Sequence, residues 1–115
     1  SNGEILETDS SVVVLGDICS GAKVISKGNI IVLGSCRGSI YAGATGDRNC
    51  FAAALVMKPV QVRIADKTAR SAITKYSDHT EYKAEPKVAY IKAEHIYVET
   101  IKQETLQELS FTQEK

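Results

Sequence analysis

The fold is decided by one stretch of sequence, residues 12–34, which reads VVVLGDICSGAKVISKGNIIVLG. Within it and just beyond it, apolar residues recur every six positions. They are Val12, Ile18, Val24, Ile30, Cys36 and Ala42. A second track with the same spacing carries small residues and is interrupted only at position 40. Its members are Gly16, Ala22, Gly28, Gly34 and Gly46. The triplet Val-Leu-Gly also recurs after 18 residues, so three units of six form one repeat.

This periodicity predicts an all-β fold, a short parallel β-helix in which each side of a triangular coil is a short strand. The coils of such a three-sided solenoid stack about 4.8 Å apart, and equivalent inward side chains form ladders. Gly16, Gly28, Gly34 and Gly46 recur where the chain must turn, so we expect them at corners with positive φ. An antiparallel meander with glycine turns is the alternative, although ordinary strands rarely carry so regular a glycine track.

The chain changes composition along its length, because all eight glycines lie in its first part and both prolines in its second. We expect one β-helix domain over residues 1–101. Its coils would occupy about 5–65, followed by a polar excursion over 66–87 and C-terminal strands over 88–101. Residues 102–115 are predicted to be a flexible or short helical tail.

Three further segments carry strand patterns. Residues 60–64 alternate strictly between apolar and polar side chains, as a half-exposed strand does. Residues 50–57 are rich in alanine but too short for a convincing helix, so we favour a strand in the same stack. Residues 88–91 and 96–98 are predicted to form a hairpin.

Composition narrows the class of protein. A chain of 115 residues and 12.4 kDa encloses a single core. Its 14 basic and 14 acidic residues cancel, which makes nucleic acid a poor default partner. The longest apolar run, residues 52–57, is far shorter than the roughly 20 residues that cross a bilayer. We therefore expect a soluble, intracellular protein.

The reactive side chains form no recognisable catalytic or metal-binding motif. Cys19, Cys36 and Cys50 are odd in number and lack a Cys-x-x-Cys pair, which predicts free, mostly buried thiols in a reducing compartment. His79 and His95 stand at no ligand spacing. Hexapeptide acyltransferases share the six-residue period, but they carry a catalytic histidine within their coils, where this chain has none. We expect no enzyme activity, no cofactor and no metal.

Several segments together resemble the C-terminal domain of the septum site-determining protein MinC family. They are VVVLGDI (12–18), GAKVI (21–25), GNIIVLG (28–34) and RGSIYAGA (37–44). The similarity continues through residues 59–65, 87–91 and 96–99. The resemblance implies a right-handed β-helix, whose handedness the spacing alone does not decide, with a C-terminal hairpin or added strands.

The resemblance also implies a function. C-terminal domains of this family form homodimers, bind the ATP-bound membrane ATPase MinD, and help a separate N-terminal domain inhibit FtsZ assembly away from midcell. MinD would recruit the protein to the inner face of the membrane.

A short Arg-Ser-Gly-Gln motif at the entrance of the family's β-helix contacts MinD, and its last two positions fall on Gly3 and Glu4. To these candidate partner-binding residues we add Asp17 and Arg37, because stacking could bring these polar groups near the entrance. The candidate dimer-interface residues are Ile40, Tyr41, Phe51, Leu55 and Val56.

A structural role is the alternative. Bactofilin-like scaffold proteins are also short β-helices, and they self-assemble end to end. The flat faces and unpaired terminal strands of a solenoid suit protein contacts in either case. Filaments that form with rising concentration would favour the scaffold, whereas a closed dimer that binds MinD in the presence of ATP would favour the MinC-like function.

Overall fold

The computed structural model describes residues 3–70 and 85–109 of the chain. Within these residues it is nearly all-β. In chain order the elements are β1 (Ile5–Thr8), β2 (Val12–Leu15), β3 (Lys23–Ser26), β4 (Ile30–Cys36), β5 (Ser39–Ala42), β6 (Ala52–Met57), β7 (Gln61–Ile64), β8 (Lys67–Ala69), β9 (Lys87–Lys92), β10 (His95–Thr100) and α1 (Gln103–Leu109).

The strands stack on three sides of a solenoid. Sheet A contains β1, β3, β5 and β7 in parallel, with β8 antiparallel beside β7. Sheet B contains β2, β4 and β6 in parallel, followed by β9 and β10 in antiparallel pairing. The third side is shorter: Ile18 bridges to Cys36, and Cys36 pairs with Met57. The all-β, three-sided β-helix predicted from the spacing is confirmed.

Coil length varies more than the sequence repeat predicts. Ile5 pairs with Lys23, Lys23 with Ser39, and Ser39 with Gln61, which are separations of 18, 16 and 22 residues. The shortest coil results from a corner that is two residues shorter than its counterpart in the first coil. The longest coil contains an extended loop at residues 43–51.

The inward side chains form one continuous core despite these shifts. All the six-spaced residues from Ile18 to Ala42 are buried, and Val12 in the first coil is partly buried. Val24 pairs with Ile40 rather than with Ala42, because the second coil is two residues short. Side chains alternate across a strand with a period of two, so a shift of two residues keeps the same side chains facing inward.

The corner glycines follow two different physical rules. Gly16 and Gly46 have φ angles of 133° and 108°, as predicted. Gly28 and Gly34 do not have positive φ, so that prediction is wrong for them. A Cβ atom on Gly28 would lie 2.6 Å from the Ser11 Oγ atom, and one on Gly34 would overlap the carbonyl oxygen of Gly16. The close approach of the neighbouring coil therefore requires glycine at these two positions.

Side chains at one corner connect successive coils. The Ser11 Oγ atom accepts a hydrogen bond from the backbone N–H of Asn29 at 2.9 Å, and the Asn29 Oδ1 atom accepts one from the N–H of Phe51 at 2.9 Å. The buried Ser26 hydroxyl donates to the Ser10 carbonyl at 2.8 Å and accepts from Gly28 N–H at 2.9 Å. These bonds satisfy polar groups that the turn would otherwise leave unpaired.

The first coil leaves one end of the solenoid open. Leu6 points inward from β1 yet is 46% exposed, and Val14 on β2 is only partly buried. We call this end, formed by residues 3–22, the open end.

The other end is covered by antiparallel strands and ion pairs. β8 lies beside β7, β9 and β10 extend beyond β6, and the inward residues Ile64 of β7 and Val98 of β10 are buried. The Arg48 guanidinium donates to both carboxylate oxygens of Asp66, at 2.8 and 2.7 Å, and to Glu94 at 2.9 Å. Glu94 also pairs with Lys67 at 3.0 Å. We call this end the closed end. Its ion pairs connect three segments that are distant in sequence: the one with Arg48, the one with Asp66 and Lys67, and the one with Glu94.

The remaining predictions of secondary structure have mixed outcomes. The strand favoured for the alanine-rich segment is β6, and the hairpin is β9–β10, so both predictions are confirmed. The excursion begins later than expected, because residues 67–69 form β8. Its residues 71–84 lie outside the described part of the chain. The tail contains α1, and residues 110–115 also lie outside the described part.

Candidate functional site

The open end contains a cleft of about 330 Å³ between the first two coils. It is lined by Glu4, Ile5, Leu6, Val14, Asp17, Ile18, Cys19, Ala22, Lys23 and Val24. The floor of the cleft is apolar because it consists of side chains that face the interior of the solenoid. A further coil would cover these side chains if the stack continued. The rim carries two carboxylates and one ammonium group. A cleft of this kind suits a protein partner that supplies apolar side chains and matching charges.

Two of the four predicted partner-binding residues, Glu4 and Asp17, line this cleft, and Gly3 precedes Glu4 at its entrance. The Gly3 N–H donates to the Gly21 carbonyl at 3.0 Å, and the Glu4 carbonyl accepts from Lys23 N–H at 2.9 Å. These bonds fix the chain entrance beside the first corner. Glu4 and Asp17 line the same cleft. The structure therefore brings Glu4 and Asp17 to one cleft, although they are 13 positions apart in the sequence, and leaves Gly3 next to Glu4 at the chain entrance.

Arg37, the fourth predicted residue, lies one coil deeper on the third side. Its backbone N–H donates to the Ile18 carbonyl at 2.8 Å. Asp17 accepts a hydrogen bond from Ser35 N–H at 2.7 Å through its Oδ1 atom. That hydrogen bond, and to a smaller degree the Arg37 charge, holds the pKa of the Asp17 carboxyl below its usual range. Asp17 is therefore ionised at neutral pH beside the basic side chain of Arg37. The corner thus offers a partner one negative and one positive charge.

Sequence reasoning missed Lys58, which extends this corner. Cys36 pairs with Met57, and Lys58 N–H donates to the Cys36 carbonyl at 3.0 Å. Arg37 and Lys58 thus occupy equivalent, exposed positions on successive coils. No sequence signal identifies this ladder, because the separation of 21 residues between them follows from the length of one irregular loop.

The predicted dimer-interface residues do not form one surface. Ile40 points into the core and is 1% exposed, so its assignment to an interface is wrong. Tyr41 lies on the outer face of sheet A, where the Arg63 guanidinium carbon is 4.2 Å from the ring centroid. Phe51 is half-buried and holds the corner described above, with its N–H bound to Asn29. Tyr41 and Phe51 therefore do not share a face with the other two predicted interface residues, Leu55 and Val56.

Leu55 and Val56 lie in β6, the central strand of sheet B, and Leu55 belongs to an apolar outer face of that sheet. Its exposed members are Val13, Leu15, Leu33 and Leu55. Val13 pairs with Ile31, and Leu15 with Leu33, so these side chains lie side by side across adjacent strands. Leu15 is 80% exposed. We call this surface the outer face of sheet B.

Other polar clusters carry no recognisable chemistry. A second cleft, of about 570 Å³, lies between the hairpin and α1 and is lined by Glu85, Tyr90, Lys92, Glu99, Thr100, Lys102, Glu104, Thr105 and Glu108. Burial, with the Glu99 charge as a smaller cause, raises the pKa of Tyr90 to about 12, so its hydroxyl stays protonated at neutral pH. In the described ranges, no three or more His, Cys, Asp or Glu side chains are grouped to hold a metal ion.

The predicted free thiols are present. Cys36 and Cys50 are buried, whereas Cys19 is exposed at the open end. Burial raises the pKa of both buried thiols to about 11, so they are protonated and poorly nucleophilic at neutral pH. No helix among the described residues is long and apolar enough to cross a membrane.

Comparison with known proteins gives a consistent result. Residues 1–101 match the family model described as "Septum formation inhibitor MinC, C-terminal domain". A probable septum site-determining protein MinC from Lachnospira eligens is 44% identical over 115 residues, covering 95% of this chain and 46% of the relative. One from Agathobacter rectalis is 39% identical over 106 residues, covering 87% of this chain and 44% of the relative. The chain therefore spans about half the length of these relatives.

A solved structure supports the same relationship. A chain of the "MinC:MinD cell division protein complex" from Aquifex aeolicus superposes with a TM-score of 0.75 at 33% sequence identity. The match covers 93% of this chain and 86% of that one. The β-helix and its C-terminal additions are thus similar as a whole, not only in their repeats.

Proposed function

Because the chain belongs to the family of MinC C-terminal domains, we propose that it is a non-enzymatic interaction and dimerisation domain that binds ATP-bound MinD. The observation that carries this proposal is the match to a chain of a MinC:MinD complex over almost the whole length of the domain. As part of a division-site regulator, it helps inhibit FtsZ assembly away from midcell. Inhibition of FtsZ belongs to the full-length protein, since the relatives are about twice as long.

The cell location follows from the partner. The domain is cytoplasmic and reaches the inner face of the membrane through MinD. Its own surface supports this indirect route, because the formal net charge is zero and an anionic lipid surface has no net charge to attract.

The open-end corner is the proposed MinD contact. Glu4 and Asp17 line the cleft there, and Gly3 lies next to Glu4. Arg37 offers a cation on the adjacent coil. Arginine can donate two parallel hydrogen bonds to a carboxylate, which gives such a contact both affinity and orientation. Glu4 stands where the family motif has glutamine, so a neutral side chain there should bind at least as well.

The test measures ATP-dependent co-sedimentation with MinD on liposomes. Arg37→Glu should lower binding at least about tenfold, because it places a carboxylate where the proposed contact needs a cation. Glu4→Gln should retain or strengthen binding. Lys92→Glu, which makes the same charge change at an exposed position on the hairpin, is the matched control and should bind normally.

Equal losses for Arg37→Glu and Lys92→Glu would mean that net charge matters and the corner does not. Failure of the unmodified, folded chain to bind MinD with ATP would remove the proposed partner altogether.

The outer face of sheet B is the proposed dimer interface. Four large apolar side chains are exposed on it, and a self-complementary contact between two copies would bury them. Leu15→Lys together with Leu33→Lys should convert a dimer into a monomer at micromolar concentration, measured by light scattering. Val60, which is 58% exposed at a corner away from this face, supplies the control Val60→Lys, which should remain a dimer. A monomeric unmodified chain would contradict the proposal.

The scaffold alternative is less well supported by the shape of the molecule. End-to-end filaments require both ends to be open, because each coil edge must pair with the next copy. Here the far end is covered by β8, β9 and β10. In a head-to-tail contact the open end of one copy would therefore meet these antiparallel strands instead of a coil edge, which does not favour filament growth.

A further inference from the structure

The open end presents two strand edges that no other described strand covers. β1 pairs only with β3, and β2 only with β4. The carbonyl oxygens of Glu4 and Thr8 accept hydrogen bonds from N–H groups of the β3 coil. Alternate residues of a parallel strand direct their N–H and C=O groups to opposite sides. The N–H and C=O groups of Ile5 and Glu7 therefore face away from the sheet, toward the place of an added strand.

These edges carry few of the features that prevent strand pairing. Natural sheet edges are commonly blocked by proline, by bulges or by a charge that points inward. β2 reads Val-Val-Val-Leu, without a charge or a proline, and the only charge on β1 is the outward Glu7. Beneath the edges lies the apolar cleft, with Leu6 and Val14 in its lining. An added strand would find both backbone partners and a place for its inward side chains.

Charge indicates what kind of strand fits. Residues 3–22 contain Glu4, Glu7, Asp9 and Asp17, and no lysine or arginine. Two copies meeting head to head would bring four carboxylates against four others within a Debye length of about 8 Å, which opposes self-pairing. A segment that carries lysine or arginine would be attracted instead.

The lysine side chains close to this end belong to the next coil. The first coil itself therefore carries only acidic side chains at this edge. Lys27 pairs with Asp9 at 3.3 Å on an exposed corner, and Lys23 lines the cleft from the start of β3. Glu7 projects from the outer face of β1 and is exposed. A basic side chain on the outer face of an added strand would lie beside Glu7, since side chains on one face of adjacent strands are neighbours.

We propose that the open end is a strand-addition site for an extended segment of a partner protein in which apolar and basic residues alternate. The backbone of the segment pairs with Ile5 and Glu7. Its apolar side chains enter the cleft beside Leu6, and its basic side chains lie on the outer face beside Glu7. This site does not depend on MinD being the partner, because it follows from the edge, the cleft and the charge of the first coil.

The first experiment compares two synthetic peptides on the complete chain. One alternates lysine with valine, and the other alternates glutamate with valine. The lysine peptide should slow hydrogen exchange at the Ile5 and Glu7 amides and bind at least about tenfold more tightly than the glutamate peptide. The difference should shrink as salt is added, because exposed charges are screened.

Two variants test the geometry. Ile5→Pro removes an N–H that faces the added strand, keeps the Glu7 carboxylate, and should lower lysine-peptide binding at least about tenfold. Thr68→Pro, in the terminal strand at the other end of the same sheet, is the control and should bind the peptide normally. Circular dichroism reports whether each variant is folded. Glu7→Lys, which keeps the backbone donor, should reverse the preference between the two peptides.

Three results would overturn the proposal. The first is equal binding of the two peptides to the unmodified chain. The second is an unchanged preference in Glu7→Lys. The third is protection of the Ile5 and Glu7 amides that rises with protein concentration in the absence of peptide, because a second copy would then be the occupant.

Discussion

The two ends of the solenoid are built from the same repeat but differ in what covers their interiors. At the closed end, antiparallel strands and the Arg48 ion pairs bury Ile64 and Val98. At the open end, Leu6 remains half-exposed above an apolar cleft. A repeat fold can thus concentrate stability at one end and leave the other end, whose apolar interior is uncovered, for recognition.

The largest expected effect comes from removing one inward side chain in each region. Ile30 is fully buried in the second coil, so Ile30→Ala should cost about 3 kcal/mol of unfolding free energy. Leu6→Ala in the first coil should cost less than about 1 kcal/mol, since nearly half of the side chain is already in water. Urea unfolding followed by far-ultraviolet circular dichroism measures both. Equal losses would mean that the open end is as well packed as the core.

Thiol labelling sharpens the comparison without changing the chain. Cys19 is exposed at the open end, whereas Cys36 and Cys50 are buried and have pKa values raised to about 11. Cys19 should react at least about a hundredfold faster than the two buried thiols in the native protein, because these react only when the structure opens. In denaturant the three rates should converge. Rapid labelling of Cys36 in the native state would contradict its inward position.

Glycine substitutions at one corner separate steric from conformational strain. Gly16 and Gly34 occupy the same corner in successive coils. Gly34→Ala should cost about 2 kcal/mol, because its Cβ atom would overlap the backbone of Gly16. Gly16→Ala should cost about 1 kcal/mol, since space is open around it and only its positive φ is unfavourable. Denaturant unfolding measures both losses of stability. The reverse order would show that the unfavourable φ at position 16 costs more than the steric overlap at position 34.

The smallest expected effect is a change in acid stability at the closed end. Arg48 lowers the pKa of Asp66 to about 2 and also lowers that of Glu94. A carboxyl group whose folded pKa is depressed stabilises the fold above its unfolded pKa and loses that contribution as pH falls through the folded value. Thermal unfolding of Asp66→Asn should therefore depend less on pH between about 5 and 2 than that of the unmodified chain.

Asp9→Asn provides the control, because Asp9 has a lysine partner on an exposed corner of the open end. Its acid unfolding should follow that of the unmodified chain more closely. If the two substitutions change the pH dependence equally, the ion pairs at the closed end contribute no more to acid stability than the exposed pair of Asp9 and Lys27.

Much of the candidate site could be predicted in outline. Glu4 at the entrance and Asp17 at a later corner of the first coil line one cleft, as a chain that closes into a coil implies, and Gly3 lies next to Glu4. Lys58 could not be found, because its position depends on a loop whose length breaks the repeat. The interface prediction for Ile40 fails because inward and outward residues alternate along β5, and Val24 beside Ile40 faces the core.

The spacing of apolar and small residues is enough to predict the architecture. Apolar residues at every sixth position give each short strand an inward side chain, and the regular glycine track favours a stack of coils over an antiparallel meander. Tertiary structure decided the rest: the register of the second and third coils, the reason for glycine at positions 28 and 34, the attachment of the hairpin to β6, and which end stays open. These features depend on contacts between residues from different coils, whose separations are set by irregular corners and loops. A local pattern specifies which face of a strand is buried, but not which strand lies beside it.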